Sequence, residues 1–246
     1  MPDLEFTLID EPSFDVIPAP ARPGARCQTC DYWERLDGSR EASNSSAARE
    51  LKRSRLLAGA RLAGAYGMLA WRTDPDGERV AVGWAQFGPL SAYPRAGVIR
   101  ERYPELPDSP APWVITCLQV PGEVTDRESV AEALLGAVCD ELDRRGITAV
   151  EAYPEGVDDP WLPSAGPATV YRMAGFDRAA GDDRFPVLRR ELVGTSADVG
   201  WGDLLSRTKP TDKGDEWPLP LPKGPTEDDL FRLPEKPKRP NPFGDD

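Results

Sequence analysis

A chain of 246 residues is long enough for one sizeable domain with its own core and an appendage. Its net charge is −12 and it has no histidine. The acidic balance opposes binding to nucleic acid or an anionic membrane, and the missing imidazole removes Ser-His-Asp triads, Cys-His pairs and His-ligated zinc. No apolar run reaches the ~18 residues of a membrane span. The acidic start MPDLEFTLIDEPSFDVIPAP has no basic and apolar signal regions, so a cytoplasmic location is expected.

In chain order, the arm at 1–24 has room for a first strand. Ser45 and Ser46 suit the cap of a helix over 47–62, with Leu51, Leu56, Leu57 and Leu62 on a partial apolar face and KRSR (52–55) on a solvated one. AYGMLAWR (65–72) and ERVAVGWAQFG (78–88) read as two strands joined by the turn TDPDG. A loop with a short helix at 97–102 leads to the strand WVITCLQV (113–120). The acidic loop EVTDRESVA follows, then a helix over 129–145 in which Val130, Leu134, Leu135, Val138 and Leu142 keep helical spacing up to Gly146.

ITAVEAYP (147–154) reads as a strand, PATVYRMAGF (167–176) as a short helix and RFPVLRREL (184–192) as a last strand. Strand, helix and strand over 113–154 form a parallel unit, and the preceding hairpin makes the sheet mixed. The fold class is therefore α/β, a mixed central sheet flanked by helices over 25–193, with its ligand region near the carboxyl end of the central strand. From 194 to 246 proline recurs and no apolar period lasts, which predicts a disordered Pro-rich tail. Its islands WGDLLSR and DDLFRLP suit either a solubilising tail or a segment that docks a protein partner.

Cys117 and Cys139 fall in an apolar strand and a helix and read as small core residues. Cys27 and Cys30 form a CxxC, open to three readings: packing or a substrate-side role, a redox pair, or zinc shared with the other two cysteines. No second CxxC and no histidine completes a tetrahedral set, so no metal is expected.

Several segments, in this order and spacing, resemble the GNAT superfamily of acyl-CoA N-acyltransferases. They are CQTCDYWE, GWAQFGPLSAYPR, the block WVITCLQV…SVAEALLGAVCDELDRRGITAVEAYP, and YRMAGF before a final strand. The resemblance spans about 25–192. It implies acetyl-CoA as cosubstrate, with pantetheine lying along the central strand at Leu118, Gln119 and Val120. It also implies a pyrophosphate on the following helix N-terminus. The family's R/Q-x-x-G-x-G/A pattern falls on Asp126, Arg127, Glu128, Ser129, Val130 and Ala131, of which Ala131 alone keeps its place.

Acidic Asp126 and the Ser129 side chain in place of glycine predict affinity weakened by about tenfold or more. Tyr171 stands where the family's general acid stands, and also suits a core aromatic with a satisfied hydroxyl. Glu151 is a candidate base, or a structural carboxylate. Trp33, Trp84 and Tyr93 are candidates for an acceptor pocket, or core and rim packing. The implied activity is direct attack of a small-molecule or protein amine on the thioester. The alternative is a catalytically silent GNAT-fold binding protein whose tail docks a partner.

Overall fold

The structure is a computed structural model that describes residues 4–20, 24–36, 45–62 and 64–192. The expectations for 194–246 lie outside these residues. Seven strands and four α-helices follow in order: β1 (Leu4–Leu8), α1 (Ser46–Leu57), β2 (Gly67–Thr73), β3 (Arg79–Pro89), α2 (Pro94–Arg100), β4 (Trp113–Gln119), α3 (Arg127–Arg144), β5 (Ala149–Ala152), α4 (Ala168–Met173), β6 (Asp177–Gly181) and β7 (Pro186–Glu191). The strands form one sheet in the order β1-β2-β3-β4-β5-β7-β6. Only the β4–β5 pair is parallel. This is the mixed α/β sheet flanked by helices that the sequence predicts. Among the described residues no helix is long and apolar enough to cross a membrane.

Two apolar layers hold the sheet. On one face Val130, Leu134, Leu135, Val138 and Leu142 of α3 pack with Val170 and Tyr171 of α4 against Phe87, Ile115 and Leu118. On the other face Ile9, Phe14 and Leu56 cover Leu69, Trp84 and Val114. The strict spacing of the α3 residues supplies the first layer, and burial of each such side chain contributes about 1.5–3 kcal/mol.

Two elements differ from expectation. Helix α1 starts as predicted, with the Ser45 hydroxyl accepting from the Ala48 amide at 3.1 Å. It ends at Leu57 rather than 62, because the chain turns back and the Tyr66 amide donates to the Leu56 carbonyl at 2.8 Å. The expected apolar face is also displaced: Leu51 and Leu62 are exposed, and the buried stripe is Lys52 and Leu56, four residues apart. Strand β6, DRAAG, has no β-branched or aromatic residue and no strand signal of its own. It exists because β7 offers it a free edge across a tight turn.

Candidate functional site

Strand β4 is where the sheet opens. Its pairing with β3 skips Thr116, since Gln86 faces Cys117 while Phe87 faces Ile115. A bulge of this kind bends a strand and re-aims its side chains. Ile115 and Leu118 accordingly both join the α3 layer, whereas Val114 and Cys117 join the other. Pairing with β5 lasts three residues, Trp113 with Val150 through Ile115 with Ala152. Beyond that point β4 has left its neighbour.

The chain itself covers the exposed edge. The Leu118 amide donates to the Ser164 carbonyl at 2.8 Å, and the Gln119 side-chain amide donates to the carbonyls of Pro163 (3.0 Å) and Ser164 (3.1 Å). Trp33 holds the same segment from its far side, its indole N–H donating to the Ser164 hydroxyl at 2.8 Å. Gly166 lies so close that a Cβ there would stand 2.8 Å from the Leu118 carbonyl oxygen, at a φ of +71°. Replacing Gly166 with alanine is therefore expected to destabilise the fold by about 1–3 kcal/mol, read from the urea midpoint.

The loop before α3 places the family-pattern residues in two groups. Val130 and Ala131 are core. Glu128 and Ser129 are exposed on the first turn, and no side chain caps the helix at Asp126. Asp126 instead makes a two-pronged ion pair with Arg72 of β2, at 2.8 and 3.1 Å. Hydrogen bonds from that guanidinium hold its carboxyl below the ordinary range. Its charge is thus matched, and the uncapped amides at the start of α3 remain a favourable place for an anion. Arg127 folds back, donating to the Val120 carbonyl at 2.8 and 3.2 Å and stacking on Trp161 at 4.1 Å.

Tyr171 is fully buried and donates its hydroxyl to the Ala165 carbonyl at 2.8 Å. Burial raises its pKa well above the ordinary phenol value, so it carries its proton at neutral pH. Glu151 is also fully buried. It meets Arg189 at 2.7 Å and Arg100 at 3.2 Å and accepts the Tyr153 hydroxyl at 2.7 Å. Both its oxygens are committed, and it ties β5 to β7 and α2. Trp84 and Tyr93 are buried, and the Tyr93 hydroxyl donates to the Phe87 carbonyl at 2.9 Å.

The cleft that does open beside the end of β4, about 70 Å³ in volume, is lined by other residues, among them Cys27, Cys30, Lys52, Gln86, Cys117 and Gln119. Lys52 is its centre and was legible only as part of a basic cluster. Its ammonium meets Glu34 Oε1 at 2.6 Å and Gln86 Oε1 at 2.7 Å, and the Gln86 amide donates to Glu34 Oε1 at 2.9 Å. Cys117 completes the group, its thiol 3.6 Å from Gln86 Oε1. Position 52 lies one helical turn before Leu56, which was the available signal that it points inward.

Burial disfavours charge on both members of the Lys52–Glu34 pair, but their attraction outweighs it. Glu34 is held below and Lys52 above its ordinary value. For the lowered Glu34, the stabilisation is complete above its unfolded pKa of about 4.3 and is lost as pH falls through the folded value. For the raised Lys52, it is complete below about 10.4 and is lost as pH rises through the folded value. The stability difference between this protein and a Glu34→Leu/Lys52→Met variant should therefore be flat between about pH 5 and 10 and fall on both sides, as followed by urea denaturation.

Burial pushes the Cys27 thiol up to about 12 and that of Cys117 well above the ordinary value. Cys139 is buried in α3. Among the described residues no group of three or more cysteines and carboxylates could hold a metal ion.

No family model and no curated protein matches the chain. Among solved structures it is similar to an N-acetyltransferase from Staphylococcus aureus Mu50, at 10% identity over 78% of this chain and 99% of that one, with a TM-score of 0.46. A chain of the NatC complex bound to Gag peptide and CoA is 13% identical over 76% of this chain and 96% of its own, with a TM-score of 0.44. Ard1 from Thermoplasma volcanium is 13% identical over 77% and 98%, with a TM-score of 0.41.

Proposed function

We propose that the chain is an acyltransferase of the GNAT kind, which moves an acetyl or other acyl group from a coenzyme A thioester to an amine by direct attack. The observation that carries this reading is the opening between β4 and β5, which stop pairing at Ile115 and Ala152 just before an uncapped helix N-terminus. Pantetheine would take the edge at Leu118–Val120 in place of the segment 163–166. The first-turn amides of α3, with Arg127 released from Val120, would meet the pyrophosphate.

The acceptor amine would enter the cleft beside Lys52 as the free base; the carboxylate that lines the cleft is Glu155, not Glu151. As the amine attacks the thioester carbon, the C–S bond breaks and the thiolate takes the Tyr171 proton once Ala165 has moved aside. The proton shed by the nitrogen passes to water, and the Tyr171 phenolate is reprotonated from solvent. The test is release of free thiol from acetyl-CoA across a panel of small amines and peptide N-termini. At least one should give turnover, and Tyr171→Phe should lower it about 100-fold without changing acetyl-CoA affinity. Binding of acetyl-CoA with no thiol released by any amine would overturn the proposal.

A second reading is favoured by one observation: the Leu118 amide, the Val120 carbonyl and the Tyr171 hydroxyl are all engaged by the chain itself. On that reading the fold is catalytically silent and a protein partner docks on 194–246. Deleting 194–246 should then leave the thermal midpoint unchanged and remove the partner recovered by affinity capture. Equal recovery by the truncated protein would count against it.

A further inference from the structure

The cleft beside β4 is unusually rich in thiols for a protein that leaves all four of its cysteines free. Cys27, Cys30 and Cys117 line it together, and none of them has a role in the transfer chemistry above. Cys27 and Cys30 belong to one turn of chain. The amides of Thr29 and Cys30 both donate to the Arg26 carbonyl, at 3.1 and 3.0 Å. This helix-like winding sets side chains three apart on the same side, with Cβ atoms about 5–6 Å apart. A disulfide needs about 3.5–4.5 Å, which a small tightening of one turn supplies.

Access separates the three. Cys30 is half-buried, while Cys27 and Cys117 are buried. Lys52 stands in the same wall, its charge already matched by Glu34 at 2.6 Å. The Cys117 thiol is directed to Gln86 Oε1 on the sheet, at 3.6 Å.

We propose that Cys30 and Cys27 form a modification site for hydroperoxides, with Cys30 the attacking thiol and Cys27 the resolving one. The Cys30 thiolate attacks the outer peroxide oxygen, the O–O bond breaks and the alcohol or water leaves with a proton, giving a sulfenic acid on Cys30. The Cys27 sulfur then displaces the sulfenic oxygen as water and the S–S bond forms. Two thiols and one hydroperoxide thus yield one disulfide, one alcohol and one water, and the two sulfurs supply the two electrons. A dithiol reductant reverses it. Both residues line the cleft, so forming the bond changes its wall beside Lys52.

The test uses the full chain, native and reduced, treated with hydrogen peroxide in slight excess, then alkylated and digested with trypsin. Both cysteines fall in one peptide, CQTCDYWER, between Arg26 and Leu36. That peptide should lose the mass of two hydrogen atoms and its labelling by iodoacetamide should fall to background, while Cys139 is still labelled after unfolding. In Cys27→Ser the sulfenic acid should persist and be trapped on Cys30 by dimedone. In Cys30→Ser, which removes a half-buried side chain, the disulfide should not form. Labelling unchanged by peroxide, a bond from Cys30 to Cys117, a bond between two chains, or dimedone trapped on Cys27 instead would each overturn the assignment.

Discussion

Replacing Glu151 with alanine is expected to lower the thermal midpoint by about 10 °C. Glu151 is completely buried on β5, and its carboxylate is the shared partner of Arg189 on β7, Arg100 on α2 and the Tyr153 hydroxyl. Removing one partner from a buried ionic group leaves uncompensated charge and costs about 3–5 kcal/mol. At about 2–4 °C per kcal/mol for a domain of this size, the shift follows. Glu191 beside Arg189 and Asp108 beside Arg100 offset part of the loss, but both are exposed. Glutamine at 151 should cost less than alanine, since it keeps an acceptor and the volume. Were Glu151 instead a catalytic base, glutamine would abolish turnover at an unchanged midpoint, and the two roles separate on that measurement.

Lys52→Met should be nearly as damaging, again by about 3–5 kcal/mol, because the Glu34 carboxylate stays buried without its cation, with the Gln86 amide still donating to it at 2.9 Å. The double variant Lys52→Met/Glu34→Leu should recover more than half of that loss, since replacing both partners of a buried pair by apolar groups is often close to neutral. Equal loss in the Lys52→Met and double variants, by calorimetry, would show that the unpaired Glu34 carboxylate is not what the single substitution costs. The same substitutions change the wall of the cleft, so on the proposed function the double variant should fold and yet bind an acceptor amine poorly.

Where periodicity is strict, the sequence speaks for the structure. The spacing of Val130, Leu134, Leu135, Val138 and Leu142 marks α3 to within two residues at its start, and the hairpin over β2 and β3 follows from TDPDG. Strand β6 was not legible, since DRAAG gains its structure from an edge that β7 presents. The site was less legible than the fold for a related reason. The groups that matter are side chains brought together from distant segments, Glu34, Lys52, Gln86 and Cys117, and no local pattern links them. Charge was also misleading when counted without partners. Asp126 adds a negative charge to the loop, but Arg72, 54 residues earlier, matches it.

That match bears on the proposed donor site. With Asp126 paired, the carboxylates left to oppose a pyrophosphate include Asp159, Glu123 and Glu128, all exposed and screened. On the proposed reading the remaining obstacle is the segment 163–166, whose hydrogen bonds to Leu118 and Gln119 would be exchanged for those of pantetheine. Each exchanges one polar contact for another, at a net difference of about 1 kcal/mol or less apiece.

Isothermal calorimetry of acetyl-CoA into the full chain at low salt tests the central claim most directly. The account predicts binding with a Kd of roughly 10–100 µM, accompanied by a rise in thermal midpoint. No heat at about 1 mM acetyl-CoA, with an unchanged midpoint, would contradict it and leave the covered edge of β4 as the resting state of a silent scaffold.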